Sequence, residues 1–121
     1  MQLNGARVIV TGASSGIGRA IALEFARRGA RVALAARSET ALHEVAREIR
    51  DQGSEVVVIP TDVTIAAQVE RMTRETLRAL GGIDVLVNNA GVGLNATIAD
   101  ASGSDVEALF RLNVLAAADA L

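Results

Sequence analysis

Cysteine, lysine and tyrosine are all absent from the 121 residues. Without cysteine there is no disulfide framework, no thiolate nucleophile and no cysteine-based metal site, although that absence assigns no compartment. Without lysine, all twelve basic residues are arginines, and they are scattered along the chain rather than stacked on one face. This argues against a tract that tracks a nucleic-acid backbone. The aromatic residues are Phe25 and Phe110 alone, so a core has to be built from Val, Leu, Ile and Ala. The single histidine, His43, stands between charged neighbours and reads as exposed and inert. No Ser-His-Asp set, paired carboxylate site or zinc ligand cluster can be drawn, so no metal is expected. No charged-then-apolar leader is visible, and no apolar run approaches the ~18 residues of a membrane span. A cytoplasmic protein with no membrane or nucleic-acid partner is the expectation. Half of the residues are hydrophobic and the formal charge is −2, an ordinary globular composition of one-domain length.

Apolar runs of four to six residues alternate with helical patterns of twelve or more, the pattern of βαβ units and a parallel sheet covered on both faces. Strands are predicted at Arg7–Thr11, Arg31–Ala36, Glu55–Pro60 and Ile83–Asn88. A first helix over Ile17–Arg28 would place Ile17, Ile21 and Phe25 on one face and stop at Gly29. Ser38 can cap a second helix whose apolar face is Leu42, Val45, Ala46 and Ile49, with Gly53 just past its end. Thr64 can cap a third, striped by Ile65, Val69, Met72, Thr76 and Leu80 before Gly81-Gly82. A fourth helix is predicted from near Ser104 to the C-terminus. Right-handed crossovers with a switch in winding after the third strand give a three-layer α/β/α Rossmann-type domain with sheet order 3-2-1-4.

The chain is organised around the stretch from Val8 to Ile21, an apolar run that breaks into Gly12-Ala13-Ser14-Ser15-Gly16-Ile17-Gly18 and restarts as a helix. Gly12 can turn the chain with positive φ, Gly16 leaves room for a pyrophosphate, and Gly18 lets the helix lie close. Unpaired amides and the positive end of the helix dipole favour an anion there without any charged side chain. The bland alternative is a tight strand-to-helix turn with no ligand. Ligands of such sheets sit beyond the carboxyl ends of the strands, where Thr11, Ala36, Asp62 and Asn88-Asn89 fall.

Together, Thr11-Gly12-Ala13-Ser14-Ser15-Gly16-Ile17-Gly18, then Asn88-Asn89-Ala90-Gly91, then Asn113 resemble the short-chain dehydrogenase/reductase family, nearest to its 3-oxoacyl-carrier-protein reductase branch. The resemblance implies that Gly12 to Ile17 hold a pyrophosphate and adenosine ribose. It implies that Asp62 accepts from an adenine amino group while the Val63 N–H donates to the ring, and that Asn89, Ala90 and Gly91 line a ribose. Asn113 would bend its helix and hold a water in a proton relay. Asp62 equally suits a turn in which Thr64 caps the third helix, and the two roles are compatible.

Cofactor choice turns on Ala35-Ala36-Arg37 at the end of the second strand. A carboxylate there would repel a 2′-phosphate, whereas arginine can grip it with charge-assisted bonds, so NADP(H) is favoured and NAD(H) remains possible. Arg37 as plain solvated surface is the alternative, and Glu39 is the competing acid, one that the helix dipole would stabilise anyway. The family's catalytic serine and Tyr-x-x-x-Lys lie beyond this sequence, and the chain has no Tyr or Lys. It therefore reads as the cofactor-binding amino-terminal half of an oxidoreductase acting on a carbonyl or alcohol, expected to be inactive alone. The complete enzyme is expected to be a homo-oligomer, and the exposed fourth strand favours self-association. A non-enzymatic nucleotide-sensing or scaffolding module and a ligand-free structural fragment are the alternatives.

Overall fold

Continuous β-branched runs cannot hide one face in a helix stripe, and the chain buries them in a sheet covered on both sides. The structure is a computed structural model that describes residues 3–89. Seven elements alternate: β1 (Arg7–Thr11), α1 (Gly16–Arg27), β2 (Arg31–Ala36), α2 (Glu39–Asp51), β3 (Val56–Pro60), α3 (Ala66–Leu80) and β4 (Val85–Val87). The sheet runs β3-β2-β1-β4 and every pairing is parallel. Both the predicted order and the switch in winding after β3 are present. The predicted fourth helix and the segment after Asn89 lie outside the described residues.

Alternation along the strands divides the core into two. Val8, Val10, Val32 and Leu34 face α1 and α2, packing with Ala22, Ala26, Leu42, Val45 and Ile49. Ile9, Ala33, Ala35 and Ile59 face α3 and meet Val69, Met72 and Leu80. Full burial of an aliphatic side chain of this size contributes about 1.5–3 kcal/mol, so the two faces hold the helices to the sheet.

Four local expectations are corrected. Ile17 is not on the inward face of α1: it is 71% exposed, and the buried line is Gly18, Ala22 and Ala26. Small residues permit the close approach of helix to sheet, which leaves Ile21 and Phe25 half-buried at the flank. Thr64 does not cap α3, because its hydroxyl donates to Asp62 Oδ1 at 2.6 Å. Ile65, expected on the buried stripe, takes the N-cap position of α3 and is 44% exposed. The fourth strand is shorter than predicted, since the Asn89 N–H donates to the Thr11 hydroxyl at 3.0 Å and the main-chain ladder ends there. By contrast Ser38 caps α2 as predicted, its Oγ accepting from the Ala41 N–H at 3.3 Å.

The end of the sheet away from the site is clamped by arginines. Arg7 forks onto Asp84, with Nε to Oδ2 and Nη2 to Oδ1 both at 2.9 Å, while the Arg7 N–H also donates to Oδ2 at 2.8 Å. Arg7 Nη1 reaches the Gly81 carbonyl at 3.2 Å and Arg31 Nη1 the Leu80 carbonyl at 2.9 Å, so two cations sit on the negative end of α3. The Arg7 hydrogen bonds hold the Asp84 carboxyl below its ordinary range. A depressed folded value contributes stability that is present above the unfolded value of about 4 and is lost as pH falls through it toward the folded value. Asp84→Asn is expected to cost about 1–2 kcal/mol at pH 7 and to flatten the stability profile below about pH 4. Urea titrations at pH 7 and pH 3 check this, and an unchanged slope with pH in the variant removes Asp84 from the acid sensitivity.

Candidate functional site

At the carboxyl end of β1 the chain leaves the sheet and must turn sharply to start α1. Gly12 makes the turn at φ +63°, a conformation L side chains rarely adopt. The Ala13 N–H donates to the Ala35 carbonyl at 3.3 Å and pins the loop to the end of β2. Gly18 is required for a different reason. A Cβ there would lie 2.0 Å from the Gly12 carbonyl oxygen and 2.8 Å from Asn89 Nδ2. The nearest crowding is with the loop's own carbonyl, just past the end of β1.

Ser15 is extended, at φ −159° and ψ 166°, and its hydroxyl does not cap the helix. The first intrahelical bond runs from the Arg19 N–H to the Ser15 carbonyl at 3.3 Å. The amides of Gly16, Ile17 and Gly18 therefore have no acceptor among the described residues, and the helix dipole adds its positive end at that point. A Cβ on Gly16 would meet nothing within 4 Å, and Ser15, Gly16 and Ile17 are exposed, so the loop is open at its tip. Unpaired amides at a helix start of this kind favour an anion.

Thr11 is a residue whose role the sequence reading missed. Its hydroxyl donates to the Val87 carbonyl at 3.2 Å and accepts from the Asn89 N–H at 3.0 Å, which fastens the exit of β4 to the end of β1. Asn89 Nδ2 then donates to the Gly12 carbonyl at 3.4 Å. Asn89 thus stands against the glycine loop, while Ala90, Gly91 and Asn113 lie outside the described residues. The available signal was a lone hydroxyl residue closing an otherwise apolar run.

A cleft of about 400 Å³ opens beyond the carboxyl ends of β1, β2 and β3. Gly12 and Ser14 form one wall, Ala36, Arg37 and Ser38 a second, and Thr61 to Thr64 a third. Arg37 is exposed and makes no hydrogen bond or ion pair with any described residue. Glu39, the competing acid, does not line the cleft and lies 3.5 Å from His43 on the outer face of α2, where His43 is exposed as predicted.

The third wall is a turn built on Asp62. Its Oδ1 accepts from both the Thr64 hydroxyl, at 2.6 Å, and the Thr64 N–H, at 3.0 Å. Those two bonds, hydroxyl first, hold the Asp62 carboxyl below its ordinary range, with the Arg37 charge adding to them. Asp62 is therefore an acceptor at neutral pH. Gln68, which the sequence reading did not single out, accepts the Asp62 N–H on its Oε1 at 2.7 Å. The turn thus carries out the local role expected of Asp62, with Thr64 serving Asp62 rather than the helix. Arg37 and Asp62 come together on one cleft with Gly12 and Ser14, while Ser15 and Ile17 lie exposed outside its lining.

Among the described residues no group of His, Cys, Asp and Glu could hold a metal ion, and no helix is long and apolar enough to cross a membrane.

The chain is similar to known proteins over most of its length. The chain is 50% identical over 86 residues to 11-beta-hydroxysteroid dehydrogenase A of Sesamum indicum, which covers 70% of this chain and 25% of that protein. It is 36% identical over 115 residues to the ketoacyl reductase HetN of Nostoc sp., covering 95% of this chain and 40% of that protein. A crystal structure of a short-chain type dehydrogenase/reductase from Mycobacterium marinum superposes with a TM-score of 0.73 at 37% identity, over 93% of this chain and 50% of that one. An NAD+-bound xylitol dehydrogenase gives a TM-score of 0.72 at 36% identity, over 76% of this chain and 35% of that one. The chain spans half or less of the length of these relatives. The family described as short chain dehydrogenase matches residues 6–120, and the protein belongs to that family of oxidoreductases.

Proposed function

We propose that this chain is the NADP(H)-binding portion of a reductase or dehydrogenase that moves a hydride between the dinucleotide and a carbonyl or alcohol substrate. The observation that carries the reading is the cleft itself, with Gly12 and Ser14 of the glycine loop at one wall, the unpaired amides of Gly16 to Gly18 following them, and Arg37, hydrogen-bonded to no described residue, at another. The amides from Gly12 through Ser14, Ser15 and Gly16 to Ile17 suit a pyrophosphate, and Gly18 lets the helix bring them forward. Arg37 suits a 2′-phosphate, which it can hold with two charge-assisted bonds. Asp62 and the Val63 N–H offer an acceptor and a donor to a base, and Asn89, with Ala90 and Gly91 after it, would line a ribose. NAD(H) fits the same cleft with less to hold its ribose.

A bound nicotinamide would supply or accept the hydride, and reduction of a carbonyl would need an acid at its oxygen. The chain has neither tyrosine nor lysine for that role, and Asn113 is an amide that does not titrate usefully, leaving it only support of a water. The 121 residues alone are therefore expected to bind without turning over. We place the complete protein in the cytoplasm as a homo-oligomer. A nucleotide-sensing module, which would use the same loop without turnover, is the second reading. An in-frame Tyr-x-x-x-Lys in the DNA beyond the Leu121 codon decides for the reductase.

Titrating the chain with NADPH while following nicotinamide fluorescence tests the reading. Saturable enhancement with weaker binding of NADH is the expected result. No response up to about 1 mM, equivalent to binding weaker than about −4 kcal/mol, would leave only a ligand-free structural role.

A further inference from the structure

The turn from Thr61 to Ile65 has one feature that follows from counting its donors. The Thr61 N–H goes to the Ala36 carbonyl at 2.8 Å, the Asp62 N–H to Gln68 Oε1 at 2.7 Å, the Thr64 N–H to Asp62 Oδ1 at 3.0 Å and the Ile65 N–H to the Asp62 carbonyl at 3.1 Å. Among the described residues the Val63 N–H is the one amide of this turn left without an acceptor. The Thr64 hydroxyl is also tied to Asp62 Oδ1, so the carboxylate's second oxygen is its remaining acceptor. One donor and one acceptor, adjacent in sequence, thus border the cleft.

Gln68 is what keeps that count at one donor. It is half-buried in the first turn of α3, next to Val69, which is fully buried against the sheet. A glutamine at the third helical position usually reaches back to the N-cap amide. Here it reaches three residues further, across the turn, and ties the Asp62 amide to a helix that the core immobilises. Without that acceptor the Asp62 N–H becomes a second donor beside Val63, and the turn loses its link to α3.

We propose that Gln68 is a positioning residue that sets base selectivity at this cleft, favouring adenine over hypoxanthine; the inference rests on the dinucleotide-binding reading above. Adenine presents an amino donor beside a ring-nitrogen acceptor, which complements an acceptor beside a single donor. Hypoxanthine presents a carbonyl acceptor beside an N–H donor, the reverse order. Gln68 acts by withholding the Asp62 N–H, the group that would otherwise serve a carbonyl.

The test uses the full 121-residue chain and fluorescence titrations with NADPH and its reduced hypoxanthine analogue. The wild type is expected to prefer NADPH by at least about tenfold, the usual discrimination when a site's polar groups are left unmatched. Gln68→Met, which keeps the length and removes the acceptor, is expected to narrow that ratio about five- to tenfold. Gln68→Glu, which keeps an acceptor, is expected to retain the wild-type ratio, a rescue that a merely structural role would not require. Gln68→Asn, too short to reach, should narrow the ratio like methionine and stands in if the methionine variant does not fold. An unchanged ratio in the foldable loss variants, or a Gln68→Glu ratio matching theirs, overturns the role of Gln68. Equal wild-type affinity for the two dinucleotides overturns it while leaving cofactor binding intact, whereas no wild-type binding of either removes the dinucleotide-binding reading and this inference together.

Discussion

Gly18→Ala is expected to lower the melting temperature by roughly 10 °C and to weaken NADPH binding at least tenfold. The added methyl would stand 2.0 Å from the Gly12 carbonyl oxygen and 2.7 Å from its carbon, contacts no real Cβ makes. Neither neighbour can step aside as a flexible side chain would, because Gly12 is held in its turn and the Ala13 amide is tied to Ala35. Either α1 is pushed outward or the Gly12 turn opens, and both break the Asn89 to Gly12 bond. Overpacking of this kind costs about 1–3 kcal/mol, which at this chain length corresponds to the melting shift given. Displacing α1 also moves the unpaired amides, so binding falls by more than stability alone predicts.

Gly53→Ala is the matched control. Gly53 sits at φ +85° with nothing within 4 Å of a Cβ, so alanine there meets backbone strain of about 1 kcal/mol and no steric contact. It is expected to lower the melting temperature a few degrees and leave NADPH affinity intact. Thermal melts and titrations of the two variants side by side separate the cases. A Gly18→Ala protein that melts and binds like the wild type would show that the loop does not have this geometry.

Arg37→Asp is expected to reduce NADPH affinity about a hundredfold and to bring NADH affinity level with it or above. Each charge-assisted bond to a phosphate contributes about 1.5–3 kcal/mol, and arginine can make two. The substitution removes these and places an acid at the end of β2, where it repels a 2′-phosphate but can accept from ribose hydroxyls. The loss for NADPH should shrink as salt is raised, because an exposed cation is screened over about 10 Å at 0.1 M ionic strength. Arg37 also helps to hold the Asp62 carboxyl low, so that carboxyl should titrate closer to its ordinary range in the variant. Competition titrations with NADPH and NADH at two salt concentrations read all of this. If both affinities stay where they were, Arg37 is surface and cofactor choice lies elsewhere.

The fold was largely legible in the sequence, and for a particular reason. Strands buried on both faces leave continuous Val, Ile, Leu and Ala runs, and these alternated with amphipathic helices such as Leu42, Val45, Ala46 and Ile49. Gly12 as a positive-φ turn and Ser38 as a cap were equally readable, since each depends only on its neighbours in the chain.

The misreadings share a cause. Ile17 matched the helical period with Ile21 and Phe25, yet closeness to the sheet selected Gly18, Ala22 and Ala26 for the buried line. Thr64 had the composition of a cap, but Asp62 two residues earlier offered its hydroxyl a nearer partner. Thr11 and Gln68 gave little signal because their partners are 76 and 6 residues away, in β4 and across the turn.

What the amino-acid order determined by itself was the parade of strands and helices, the glycine loop and the lack of a tyrosine or lysine acid, all local properties of pattern or composition. Only the folded sheet decided that Gly12, Arg37 and Asp62, distant along the chain, border one cleft, because parallel pairing brings the carboxyl ends of β1, β2 and β3 to the same edge. Which donors stay unpaired there is likewise a tertiary outcome, since an amide becomes available to a ligand only when no neighbour in space has already taken it.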